Sequence, residues 1–255
     1  MITKFSEVIV RSTRKYSYIY TFIVLAAAWQ VISLLVRLPF IPSPLLVAIN
    51  IYEIFIPKLL PHCMFSLYRI LAAVLISVLS GAPLGLAMGY SKTLDRLLSP
   101  AIYLLYPIPK IALLPVVMLI LGLGDSSKIA LITFILLFQI LVGARDAVRG
   151  IPPETFHCLY SLGATQIDLF KKILLPASLP SLLSSVRVSL GTALSVLFFT
   201  ETFGTEHGLG YFVMDSWMRV NYVEMYSGIT ALSLTGLGLF FAVDLLEKRL
   251  CKWKL

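Results

Sequence analysis

The chain has 255 residues, 58% of them hydrophobic and 13% charged, against roughly 45–50% apolar and about 25% charged in soluble domains. That composition, with a mean hydropathy of +0.91, excludes an ordinary soluble domain and places the chain in the membrane class. The net charge of +8 sits largely on Lys and Arg at the ends of apolar stretches, a pattern that sets membrane orientation and does not call for nucleic acid.

Lys4, Arg11, Arg14 and Lys15 precede a first apolar run, Tyr16–Val36. At about 21 residues it is long enough to cross roughly 30 Å of hydrocarbon and longer than the core of a secretory signal, so it reads as a span. Segment Phe40–Pro61, interrupted by Pro42, Pro44, Pro57 and Pro61, reads as an external loop with an amphipathic helix. Further spans are expected at Leu71–Met88, Ala101–Leu121, Ile129–Val148, Leu182–Phe203 and Tyr226–Leu246. The expected fold is an all-α membrane protein of about six transmembrane helices. It forms a single domain over 1–255, with its core at about 62–246, because apolar stretches recurring from Tyr16 to Leu246 leave no room for a separate soluble unit.

In the second span Gly81, Gly85 and Gly89 fall on one helix face, a groove for close backbone approach either within the chain or to another subunit, and Pro83 predicts a kink. In the third, Lys110 lies about halfway along, among Pro107, Pro109 and Pro115. A buried ammonium costs at least about 2.5 kcal/mol by insertion scales, so it needs a partner or a wet cavity. Three readings stand: a translocation path or gate, a structural ion pair with Glu201, or a shifted span that brings Lys110 near an interface. Glu201, near the external end of the fifth span, either lines the outer mouth or marks the helix end. Asp244, beside Glu247, Lys248 and Arg249, reads as an interfacial solvated charge.

With six spans, one side collects Lys4, Arg11, Arg14, Lys15, Lys92, Arg96, Arg145, Arg149, Lys171, Lys172, Lys248, Arg249, Lys252 and Lys254. The other holds Arg37, Lys58, Lys128 and Arg219, with Arg69 near that end of the second span. The positive-inside rule then puts both termini and segment 144–181 in the cytoplasm. There SLGATQIDLFKKILLPASLP, residues 161–180, interrupts the apolar pattern. Gly163 divides it into two short helical pieces, Pro153–Leu162 and Thr165–Ile173, and Pro176 is expected to end the second. Ile167, Phe170, Ile173 and Leu174 give the second piece an apolar face with Lys171 and Lys172 beside it, suited to a soluble partner or to the inner leaflet.

Gly163, nine residues, then Ile173-x-Leu175-Pro176 resembles the G-x9-I-x-L-P half of the "EAA" signature of permease subunits in binding-protein-dependent ABC importers. The likeness extends over Pro107-Ile108-Pro109-Lys110-Ile111-Ala112-Leu113-Leu114-Pro115, Gly122-x-Gly124, Ser185-Val186-Arg187, Glu201 and Gly208-Leu209-Gly210-Tyr211, and covers roughly Pro42 to Leu246. The combination is similar to the nitrate/sulfonate/taurine branch. The positions usually filled by Glu-Ala-Ala hold His157, Cys158 and Leu159, with Glu154 three residues earlier.

The resemblance implies a type I ABC importer permease-like fold with a coupling loop at about 150–180 that docks on a separate ATP-binding cassette subunit. It assigns ATPase coupling to His157, Gly163, Ala164, Phe170, Ile173, Leu175 and Pro176. It also implies an extracytoplasmic solute-binding protein, a second permease copy, and a small polar or anionic solute of nitrate, sulfonate, taurine or bicarbonate type. The location implied is the cytoplasmic membrane of a bacterial or archaeal cell. No cofactor is expected, since the chain lacks G-x-x-x-x-G-K-[ST] and leaves ATP to the partner. No enzyme is expected either: His62, His157 and His207 lie in separate regions without H-E-x-x-H, and Cys63, Cys158 and Cys251 lack metal or disulfide spacing. A stand-alone secondary transporter or channel is the alternative, and it gives the cytoplasmic hairpin no task.

Overall fold

A computed structural model describes residues 20–36, 38–161 and 163–254. Among these the chain is helical throughout: α1 (Tyr20–Val36), then α2 (Pro44–Ile54), α3 (Leu60–Tyr90), α4 (Lys92–Leu105), α5 (Leu114–Leu121), α6 (Asp125–Arg149), α7 (Pro153–Ser161), α8 (Gln166–Leu169), α9 (Leu175–Glu201), α10 (Leu209–Met218) and α11 (Tyr222–Leu250). Four stretches are long and apolar enough to cross a membrane, Pro44–Tyr90, Asp125–Arg149, Gln166–Glu201 and Tyr222–Leu250, and α4 with α5 makes a fifth if that bent pair counts as one. The apolar helix α1 is shorter, and residues 16–19 of its expected span lie outside the described residues.

Two expectations are corrected. Phe40–Pro61 is not a loop: from Pro44 it is helical and runs through a π-helical turn, Phe55–Leu59, into α3, 47 residues in all. The prolines permit this because each sits where a backbone N–H is dispensable. Pro44 follows the Ser43 N-cap, whose hydroxyl accepts from Leu46 N at 3.3 Å; Pro57 lies in the widened turn; Pro61 lies in the first turn of α3. Pro176 likewise does not end a helix. It stands in the first turn of α9, which continues from α8 through a second π-helical turn, Phe170–Leu174.

The core is the contact of α3, α6, α9 and α11, with Ile70, Leu86, Ile132, Leu136, Ile140, Leu190, Leu197 and Leu239 buried among them. Lipid tails are as apolar as these side chains, so close backbone approach supplies much of the cohesion. The Gly81, Gly85 and Gly89 face is spent inside the chain. A Cβ at Gly85 would run into Leu141 O and lie 2.8 Å from Ala144 Cβ, and one at Gly89 would stand 2.6 Å from Val148 Cβ. Where the start of α4 meets the end of α6, Asp95 holds Arg145 at 2.6 Å and also pairs with Arg149. Arg187 of α9 holds Asp244 of α11 at 2.6 Å, so Asp244 is ion-paired.

Candidate functional site

The third expected span is broken. Pro107 and Pro109 have no N–H to continue the ladder, and α4 and the following Lys110–Leu121 segment meet at 77°. Lys110 closes the gap: its Nζ donates to Leu105 O at 3.1 Å and Tyr106 O at 2.9 Å, the carbonyls at the end of α4. It also sits 4.7 Å from the Phe138 ring centroid and 5.4 Å from that of Tyr106. A cation at a helix C-terminus satisfies orphan carbonyls and faces the negative end of the dipole.

Beside the break lies an open cleft of about 460 Å³ between α6 and α9. Ser181, Ser184, Ser185, Val188 and Ser189 line it from α9, Gln139, Val142 and Gly143 from α6, and Tyr106 from the break. The α9 positions recur every three or four residues and make one helix face. That face is hydroxyl-bearing in the middle of an apolar helix, where polar groups without partners are expensive unless water or a solute reaches them.

A second polar assembly closes the far ends of α3, α6 and α9. Arg69 is 2% exposed. Its Nε donates to Asp125 Oδ1 at 2.7 Å, Nη1 to Glu201 Oε1 at 2.7 Å and His207 O at 2.8 Å, and Nη2 to Thr205 Oγ1 at 3.2 Å. Glu201 also accepts from Ser66 Oγ at 2.8 Å and Gly210 N at 2.9 Å. Buried Lys128 donates to Leu123 O at 2.8 Å, Gly124 O at 3.2 Å and Gly204 O at 3.1 Å. Gly208, at φ +120°, presses so closely on Glu201 that a Cβ would collide with its carboxylate. Segment 202–208 is thus pinned by charge. Two cations face two carboxylates, the condition under which buried ions are tolerated.

At the other end of α3, Gly163 adopts φ +77°. Its N–H bonds Tyr160 O at 3.0 Å and Ala164 N–H bonds Leu159 O at 3.1 Å, the Schellman closure of α7. Thr165 and Asp168 then form a reciprocal capping box that starts α8. Tyr90 donates to Gln166 Oε1 at 2.6 Å and lies 3.1 Å from Tyr160 Oη, tying the hairpin to α3.

Residues 77–253 match the family described as binding-protein-dependent transport system inner membrane component. The chain belongs to that family. The permease is 30% identical over 234 residues to SsuC of Bacillus subtilis (strain 168), a permease protein assigned to aliphatic sulfonates transport, covering 91% of this chain and 85% of SsuC. It is 30% identical over 238 residues to the taurine transport system permease protein TauC of Escherichia coli (strain K12), covering 91% and 86%. Its fold superposes on a chain of the MetNI methionine ABC transporter in an inward facing conformation with a TM-score of 0.65 at 20% identity, over 75% of this chain and 95% of that one.

Of the residues the sequence singled out, Lys110 lies at the cleft's edge against Tyr106, whereas Glu201 is fully buried with Arg69, so the two do not form the pair considered for them. In the permease's hairpin His157, Gly163, Phe170 and Leu175 are exposed, Ala164 and Pro176 are half-buried, and Ile173 is buried within the chain. Phe170 lines a cavity of about 300 Å³ with Pro83, Tyr90 and Leu174. Sequence reasoning placed Arg69 only near a span end and Ser185 only within the family likeness, and it offered no role for Ser66, Asp125 or the serine face as a whole. The spacing of Ser181, Ser185 and Ser189 was the available signal for that face, lost in an average hydropathy that the neighbouring leucines dominate.

Proposed function

We propose that this permease subunit passes a small sulfonate- or taurine-type solute through the hydroxyl-lined cleft of α6 and α9, paired with a second permease copy and driven by a separate ATP-binding cassette subunit. The solute is handed over by an extracytoplasmic binding protein. The observation that carries this reading is the serine face of α9 set opposite Gln139 and Gly143, a wettable surface at membrane depth in a chain of this family. The exposed hydroxyls of Ser181 and Ser184 offer oxygen-bearing head groups donors without fixed charge, so a solute is held weakly enough to leave.

Six spans are reached by counting α1 and the bent α4–α5 pair, which puts both termini and the Gly163 hairpin in the cytoplasm of a bacterial or archaeal cell. The hairpin residues His157, Gly163, Ala164, Phe170 and Leu175 meet the ATPase, with Ile173 and Pro176 seating that surface on α9. Lys110 acts at the path as the staple of its broken wall. Glu201 acts at the outer gate by holding segment 202–208. Reconstitution in proteoliposomes with the ATPase and binding protein tests the reading: ATP-dependent uptake of taurine or an alkanesulfonate is expected. Uptake that persists without the ATPase would favour a stand-alone transporter.

A further inference from the structure

The first N–H groups of a helix have no partner inside it. At the start of α10, Gly208, Leu209 and Gly210 are buried, so water does not supply one. Side chains of α3 and α9 do. Gly208 N donates to His62 Nδ1 at 3.1 Å, Leu209 N to Ser66 Oγ at 2.8 Å and Gly210 N to Glu201 Oε2 at 2.9 Å, while Arg69 Nη1 donates to His207 O at 2.8 Å. His62, Ser66 and Arg69 fall at i, i+4 and i+7, so one face of α3 grips the backbone where segment 202–208 enters α10. Phe65 of the same turns stacks on the His207 ring, with centroids 4.6 Å apart and planes 10° from parallel.

A backbone N–H can only donate, so the bond from Gly208 requires a lone pair on His62 Nδ1 and therefore a neutral ring with its proton on Nε2. Imidazole ordinarily titrates near pH 6.5, within the range an outer membrane face meets. Protonation makes Nδ1 a second donor aimed at the Gly208 N–H, and a buried N–H loses its acceptor. The charged and titratable groups facing the ring are Arg69 on its own helix, Asp215 and Tyr211 on α10, and His207 in the segment, whose ring lies 6.1 Å away. The carboxylate among them, Asp215, is already held by Arg219 at 2.7 Å, and Lys58, four residues before His62, is bound to Glu224 at 2.6 Å. We infer that His62 is a positioning residue of the outer segment and acts as a proton-sensitive latch: neutral, it holds the start of α10 to α3; protonated from the extracytoplasmic side, it releases segment 202–208. The link to transport rests on the proposed reading of that segment as the outer gate.

The test places a nitroxide at Glu206, exposed within the segment, through Glu206→Cys in a background without Cys63, Cys158 and Cys251, in the whole complex in lipid nanodiscs. As the pH falls from about 8 to about 5.5, the ratio of mobile to immobile label is expected to rise about tenfold, the scale of one lost hydrogen bond, along a single-proton curve. His62→Asn offers Gly208 an amide oxygen that accepts at every pH, so its label should stay immobile throughout. His62→Leu offers no acceptor and should be mobile at every pH, while His207→Asn should keep the curve. A curve that survives in His62→Asn, a curve abolished by His207→Asn, or no curve at all before these substitutions would overturn the inference. In proteoliposomes buffered at neutral pH inside, uptake per ATP hydrolysed should fall with external acidification and hold level in His62→Asn. A label that switches while uptake per ATP stays level would leave the latch standing and remove the outer-gate reading of segment 202–208.

Discussion

Arg69 and Glu201 form a 2.7 Å ion pair in which the side chains are 2% and 0% exposed. Removing one partner of such a pair leaves an uncompensated buried charge and typically costs about 3–5 kcal/mol. Arg69→Met is therefore expected to lower the thermal midpoint of the detergent-purified protein sharply. The double variant Arg69→Met/Glu201→Gln should recover part of that loss, because Ser66 and Gly210 can still bond a neutral amide. Denaturation followed by fluorescence reads both variants, and equal midpoints for them would deny the pair its role.

Gly85→Leu places a side chain against the Leu141 carbonyl and Ala144. The forced separation of α3 from α6 is expected to cost about 1–3 kcal/mol and to lower the yield of monodisperse protein. Gly191→Ala, at a glycine with open space around it, is the matched control and should behave as wild type in size-exclusion chromatography.

Lys110→Met releases the Leu105 and Tyr106 carbonyls. A hydrogen bond to a charged group contributes about 1.5–3 kcal/mol, so both stability and transport are expected to fall, with Lys110→Arg restoring them in part. Loss of uptake at an unchanged melting midpoint would instead assign Lys110 to direct contact with the solute.

Gly163→Val forces a β-branched residue into φ +77°, a strain of about 1–3 kcal/mol. Phe170→Ala empties the side chain from the cavity beneath α3. Both variants should reach the membrane and lose copurifying ATPase or uncouple its hydrolysis from uptake. Full coupling in both would separate the hairpin from the ATPase, and a dependence on Lys171 and Lys172 with anionic lipid would favour the leaflet.

Orientation is read by single cysteines in a background without Cys63, Cys158 and Cys251. A cysteine at His207 should react with an impermeant reagent from outside, and one at Lys171 should not. The reverse pattern would invert the topology.

Much of this was legible in the sequence where periodicity and composition act locally. The Gly81, Gly85 and Gly89 face, the proline break around Lys110 and the turn at Gly163 each follow from a few residues. What escaped was set by distance along the chain. Arg69 and Glu201 are 132 residues apart, and hydropathy has no term for a charge whose partner arrives from another helix. The prolines of 40–61 misled for the opposite reason. Read as helix breakers, they stand in first turns and a widened turn, where the geometry already forgives a missing donor.

The Schellman closure at Gly163 and the Thr165–Asp168 capping box settle both sides of one turn with bonds internal to the hairpin. A partner meeting this segment encounters a preformed peg. It does not have to order a loose chain, so the ordering cost of about 1–2 kcal/mol per backbone residue has been met during folding. Association is then expected to resemble rigid-body docking: a heat-capacity change no larger than the apolar area covered, and an on-rate insensitive to agents that promote helix. Because α8 continues through the π-helical turn into α9, which carries the serine face, the proposed docking at Gly163 would act on one unbroken helical rod.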